Sequence, residues 1–293
     1  MSFSLSNRRA FLRRGLAGIG AGWAAWPGTG RSAEATAWKP RFSTSSLHFK
    51  DEPLEGVCDR VAGLGFEAID VWSAYEGCRH LDDAMQRLGG QGLSDVLERA
   101  KLKLFAASTY VGGYRKYADF LGAAGGCVAV QGSAEPCPPT ELVARMRKFL
   151  ESMKPLADLA GERRSWLAIE NHGHALLDGL DSFRAFVDLN THPRLGIALA
   201  PYHLQALGAS VPEAIRIAGR QLLFFYAWQK GEGLEQLPGH GTTDMKPWMK
   251  ALGDAGYAGY VNVFMHGHPD AATMSAALSR SRAALIEPAP RSP

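Results

Sequence analysis

The chain has 293 residues, a formal net charge of +3 and 46% hydrophobic residues. Residues 1–35 hold five arginines and one acid, a net of +4, so the rest of the chain is close to −1. The basic excess therefore belongs to the N-terminus, and a nucleic-acid partner, which needs a basic patch on the folded domain, is excluded.

The N-terminus reads as an export signal. Ser6, Asn7, Arg8 and Arg9 precede Phe11 and Leu12, and Arg13 and Arg14 extend the positive region. An apolar, Gly/Ala-rich stretch runs from Gly15 to Trp26, and Ala33-Glu34-Ala35 supplies a small-x-small cleavage site. The paired arginines with an apolar pair after them resemble the twin-arginine class, so residues 1–35 are expected to be a twin-arginine signal peptide. The partner that this implies is the Tat translocase, and the destination is the periplasm or another exported location. The apolar stretch is short and Gly-rich for a membrane span, which takes ~20 apolar residues, so no stable span is expected after cleavage.

Residues 36–293 are enough for one large core, and a single α/β barrel commonly takes ~250 residues. Cys58, Cys78, Cys127 and Cys137 form no Cys-x-x-Cys or Cys/His cluster, so no structural zinc site is expected. Apolar, β-rich runs are predicted at 41–47, 67–72, 103–109, 127–131, 166–170, 195–200, 222–229 and 260–266. Helical spacing fills the gaps at 53–64, 81–100, 115–122, 140–160, 181–189, 212–219, 243–255 and 271–286. Eight strand–helix alternations predict an α/β fold, a single-domain (β/α)8 TIM barrel. An open doubly wound sheet is the alternative, but no Gly-rich phosphate turn follows the first strand.

In such a barrel the chemistry sits at the C-terminal strand ends. The fifth strand ends in Glu170, Asn171, His172, Gly173 and His174, and a carboxylate closing a buried strand can move a proton or bind a divalent metal. Glu170 and His203 are the expected catalytic residues. On the eighth strand, period-two alternation puts Asn262, Phe264 and His266 on one face. The same rule on the seventh strand pairs Tyr226 with Trp228 and Ala227 with Gln229. Trp72, Asn171, Tyr202, Trp228 and Asn262 are the expected substrate contacts, since apolar walls with a few placed polar groups make a small-molecule pocket. Residues Pro238, Gly239, His240 and Gly241 form either a backbone approach to a ligand or a loop leading to a helix cap at Thr243 or Asp244.

Three stretches together are similar to the xylose-isomerase-like TIM barrels, the superfamily of sugar isomerases and epimerases. They are Ile169-Glu170-Asn171-His172-Gly173, the run from Leu195 to Leu204, and Pro238 to Gly241 followed by Asp244 and by Ala251 to Gly259. The resemblance covers roughly residues 41 to 286. It implies one divalent metal held by Glu, Asp, His and Glu on strands five to eight. Those positions fall on Glu170, Ala200, Tyr226 or Trp228, and Phe264, so three of four ligands are absent. His203 keeps the histidine that often meets the substrate. Two outcomes stay open. A rebuilt site of Glu170, His203, Gln229 and His266 would hold one divalent ion (Mn, Zn, Fe or Mg). Otherwise the barrel works without a metal.

The resemblance implies a small-molecule carbohydrate as partner and acid–base chemistry next to a sugar carbonyl. A lyase or hydrolase acting on keto-glycosides is one alternative. A non-catalytic sugar-binding barrel is another.

Overall fold

A computed structural model of the chain describes residues 38–286; the expected signal segment, 1–35, lies outside the described residues. The strands are β1 (Phe42–Ser45), β2 (Ala68–Trp72), β3 (Lys103–Ser108), β4 (Val128–Gly132), β5 (Trp166–Glu170), β6 (Leu195–Leu199), β7 (Leu222–Ala227) and β8 (Val261–Val263). Every neighbouring pair is parallel, and β8 returns to β1 with Asn262 opposite Ser43, so the sheet is a closed barrel. The described helices are α1 (Leu54–Gly63), α2 (His80–Asp83), α3 (Gly89–Ala100), α4 (Gly113–Ala123), α5 (Leu142–Glu162), α6 (Leu180–Leu189), α7 (Pro201–Ala206), α8 (Val211–Ala218), α9 (Lys246–Asp254) and α10 (Ala271–Ile286).

Strand alternation sorts the apolar residues into two cores. Ile69, Val71, Leu167, Ile169, Ile197, Leu199, Phe225 and Ala227 face outward and pack under the helices. Ala68, Trp72, Ala168, Ala198, Phe224 and Tyr226 face the lumen. The helices meet the outward set with residues at helical spacing, such as Leu54, Val57, Cys58 and Val61 on α1, all fully buried. Each large aliphatic side chain so buried stabilises the fold by roughly 1.5–3 kcal/mol.

The differences from the expected elements have local causes. The single helix expected over 81–100 is broken, because Gly89 adopts φ +65 and leads Gly90 into a new helix against Ala123. An additional short helix, α7, opens on Pro201 directly after β6 and carries His203. The runs expected over 222–229 and 260–266 leave the sheet early, so Trp228, Gln229, Phe264 and His266 stand beyond it. All four cysteines are free thiols, and burial pushes those of Cys58, Cys78 and Cys127 up, which leaves them inert.

Candidate active site

The lumen below the mouth is polar on one side. Asp70, mid-strand in β2 and fully buried, accepts hydrogen bonds from Ser45 Oγ (2.8 Å), Trp72 Nε1 (2.5 Å) and Ser108 Oγ (3.0 Å). Asn262 Nδ2 donates to Ser45 Oγ and Asn262 Oδ1 accepts from Ser43 Oγ, which continues the network to β8. Burial outweighs these donors and pushes the Asp70 carboxyl up to about 6. The signal for Asp70 was present in the sequence, as a lone carboxylate in the apolar run Ala68–Trp72 on the same alternating face as Trp72.

His48 clasps the same edge. Its Nε2 accepts from the Met265 amide (3.2 Å), so Nδ1–H donates to Thr44 Oγ1 (3.0 Å), whose own proton goes to Val263 O (2.8 Å). Burial first, then the neighbouring His268, lowers the imidazole to about 3, so it stays neutral. This histidine fixes the chain leaving β8.

Above the network lies a cavity of about 310 Å³ at the C-terminal strand ends. Glu170 ends β5 at its floor. Tyr110 donates its hydroxyl to Glu170 Oε2 at 2.5 Å. That proton is committed, so Tyr226 is the donor of the 3.0 Å bond between the two phenols. Burial pushes the Glu170 carboxyl up to about 7, against the opposing effect of the Tyr110 hydrogen bond. Tyr110 and Tyr226 are held well above their ordinary range, by burial first and the Glu170 charge second, and remain protonated donors. A carboxyl near neutrality facing a cavity suits proton transfer.

One wall is histidine. His203 and His172 line the cavity with ring centroids 4.0 Å apart. His172 Nδ1–H donates to Gly173 O at 2.7 Å. Burial, then His172, lowers His203 to about 3, so its imidazole is neutral. His266 also lines the cavity, and its Nδ1–H donates to Glu76 Oε1 at 2.8 Å. His268 donates to the other Glu76 oxygen at 2.5 Å. Glu76 holds φ +49, a left-handed conformation that costs on the order of 1 kcal/mol in a non-glycine residue. It thereby ties the turn after β2 to the segment after β8. Beside it Tyr75 roofs the cavity over Trp72 and Tyr110, at 5.8 and 6.0 Å. Trp72 and Phe264 stack at 5.3 Å to form the apolar wall.

The expected residues divide. Glu170, His203, His266 and Trp72 line the cavity. Gln229 does not, because alternation places it on the outward face of the β7 line. Its Nε2 donates to Leu237 O (2.8 Å) and its Oε1 accepts from the Thr243 amide (2.9 Å). A Cβ at Gly241 would come within 2.5 Å of Gln229 Nε2, so the loop from Pro238 closes on Gln229 and not on a ligand. Asn171, fully buried, exchanges two bonds with the Ala200 backbone (2.7 and 3.2 Å) and pins β5 to β6. Asn262 is consumed in the lumen network. Neither asparagine is available as a substrate contact. Trp228 gives its Nε1–H to Gln236 and stands edge-on to His203 at 5.2 Å, and Tyr202, stacked on Trp228 at 4.5 Å, meets the same histidine at 5.5 Å. These two back the histidine wall.

The donor set does not fit the divalent ion that the resemblance implied. A hard cation takes about six oxygen ligands. Ala200 offers no side-chain donor. Tyr226 and Phe264 fill the lumen where the ligands from β7 and β8 would project, their rings 5.1 Å apart. Among the described residues no three His, Cys, Asp or Glu side chains are arranged to hold a metal ion.

Comparison with known proteins follows the barrel closely. No curated protein matches the chain in sequence. The 3-keto-D-glucoside 4-epimerase of E. coli is 16% identical, with a TM-score of 0.66 over 84% of this chain and 100% of that one. The probable 3-DHS dehydratase of Bacillus anthracis is 12% identical, with a TM-score of 0.67 over 81% and 97%. A D-psicose 3-epimerase from Clostridium cellulolyticum is 18% identical, with a TM-score of 0.64 over 84% and 99%. At these identities the likeness is one of fold. The profile described as xylose isomerase-like TIM barrel matches residues 58–284, and the chain belongs to that family.

Proposed function

We propose that this barrel is an acid–base enzyme acting on a neutral, oxidised sugar, in which Glu170 removes a proton from the carbon next to a carbonyl. The observation that carries the reading is Glu170 itself, a buried carboxyl at the cavity floor, pushed up to about 7 and held in place by Tyr110. A base of that strength takes a carbon-bound proton and returns it without a large mismatch in either direction. The C–H pair becomes the C=C of an enolate, and the carbonyl π pair moves onto oxygen.

The walls favour an uncharged ligand. Among the described residues no Lys or Arg lines the cavity, and the neutral His203 offers a hydrogen bond without a full charge. A phosphate or carboxylate would have no cation to meet it. Trp72, Phe264 and Tyr75 present ring surfaces to the C–H faces of a sugar. One similar structure carries a name that fits: a 4-epimerase of a 3-keto-D-glucoside works on a carbon next to a carbonyl. The expected export adds to the reading, because phosphosugars are scarce outside the cytoplasm.

The test is product analysis after incubation with methyl 3-keto-glucoside, methyl glucoside and glucose 6-phosphate. Conversion of the keto-glycoside alone is the expected outcome. Conversion of the phosphosugar, or equal binding of all three with no conversion, would contradict the reading.

A further inference from the structure

The misfit of the donor set leaves a chemical requirement unmet. In a proton abstraction next to a carbonyl, charge develops on the carbonyl oxygen and some group must meet it. Among the described residues a pair of phenol hydroxyls is oriented at the cavity floor, and of the two Tyr110 lines the cavity. Tyr110, on the cavity wall, donates to Glu170 at 2.5 Å and accepts from Tyr226 at 3.0 Å. Tyr226 is 1% exposed and stands on the lumen face of β7.

We infer that Tyr110, oriented by Tyr226, is the electrophile of this site and supplies to the developing enolate oxygen what a metal ion would otherwise supply. The inference rests on the acid–base reading above. Before reaction the negative charge lies on Glu170, and the Tyr110 O–H points at it. When Glu170 takes the carbon-bound proton it becomes neutral, and the charge moves to the enolate oxygen. The Tyr110 O–H then follows the charge from carboxyl to enolate, so its bond to substrate is stronger in the transition state than in the ground state. The proton remains on Tyr110 throughout, and on reversal Glu170 returns its own proton to carbon. Tyr226 is a positioning residue. Its hydroxyl donates into the Tyr110 oxygen, which holds that oxygen in place and polarises the outward O–H. Behind it Ser108 commits its proton to Asp70, at 3.1 and 3.0 Å, which closes the polar side of the lumen.

The experiment uses the mature protein dialysed against EDTA and titrated by calorimetry with glycolohydroxamate, an enediolate mimic, and with methyl glucoside as the uncharged control. The metal-free wild type is expected to bind the hydroxamate. Tyr110→Phe should weaken that binding roughly tenfold to a hundredfold, as loss of a hydrogen bond to a charged group does, and weaken glucoside binding far less. Tyr226→Phe should weaken hydroxamate binding by a smaller factor, and glucoside binding again far less. A protein that binds the mimic only after Mn²⁺ or Zn²⁺ is added would overturn the inference. So would Tyr110→Phe binding as tightly as the wild type, or no binding to the metal-free wild type. If the mimic binds as expected but no keto-glycoside is converted, the inference stands and the functional reading fails.

Discussion

Glu170 is where burial and chemistry meet at the scale of one residue. Desolvation raises its carboxyl from 4.5 to about 7, so the folded chain holds this proton more tightly than the unfolded chain does. Stability from this group is complete below pH 4.5 and is lost as pH rises through about 7. Glu170→Gln should flatten that fall by on the order of 3 kcal/mol between the two limits, read as a smaller loss of Tm from pH 4.5 to 7. An unchanged pH profile of Tm would show that the carboxyl is not perturbed. The residue was legible because it closes an apolar strand. In the sequence Tyr226 shares a strand face with Trp228 and occupies a missing ligand's position, and neither fact points to its role. Its value lies in a bond to Tyr110, 116 residues away, which no local pattern encodes.

Strand ends decide which side chains reach the cavity at the scale of the element. Alternation along β7 read Gln229 correctly as opposite to Tyr226 and Trp228, yet its polar side chain still suggested a ligand. The structure assigns it to the backbone of the following loop. Gln229→Ala should therefore destabilise the fold by about 1–3 kcal/mol, because the Leu237 carbonyl and the Thr243 amide lose buried partners. Denaturant titration checks this, and an unchanged midpoint would contradict it. The helix boundaries were legible within a few residues except where Gly89 breaks one helix and Pro201 starts another. The strap from Tyr75 to Gly77 was not legible, since its anchor is a pair of bonds that Glu76 accepts from His266 and His268, late in the sequence. Glu76→Ala should free it and raise KM for a turned-over sugar several-fold with a smaller change in kcat, since the roof over the ligand loses its hold. Equal KM for the two proteins would argue that the strap plays no part in binding.

At the scale of the whole barrel, the lumen carries its hydrogen-bonded polar network on the side of β1, β2, β3 and β8. Eight apolar strands and the helices between them made the barrel readable from periodicity alone. Its site was readable only in part, because aromatic rings from β2, β7 and the segment after β8 converge in the lumen, and their packing replaces a ligand set that the strand positions suggested. Among the described residues no helix is long and apolar enough to cross a membrane. The proposed export acts at this scale too. Replacing both Arg8 and Arg9 with lysine should leave the protein in the cytoplasmic fraction, whereas wild type should be recovered outside it. Equal distribution of the two would remove the twin-arginine assignment.

The central claim is proton abstraction by Glu170 beside a carbonyl, and the most direct measurement is hydrogen exchange in D₂O. Methyl 3-keto-glucoside incubated with wild type should lose the NMR signal of a proton next to its ketone faster than in buffer alone. Glu170→Gln, with its fold checked by circular dichroism, should slow that enzyme-dependent loss by at least about a hundredfold. Exchange that is no faster than in buffer, or that survives in Glu170→Gln at the wild-type rate, would contradict the account.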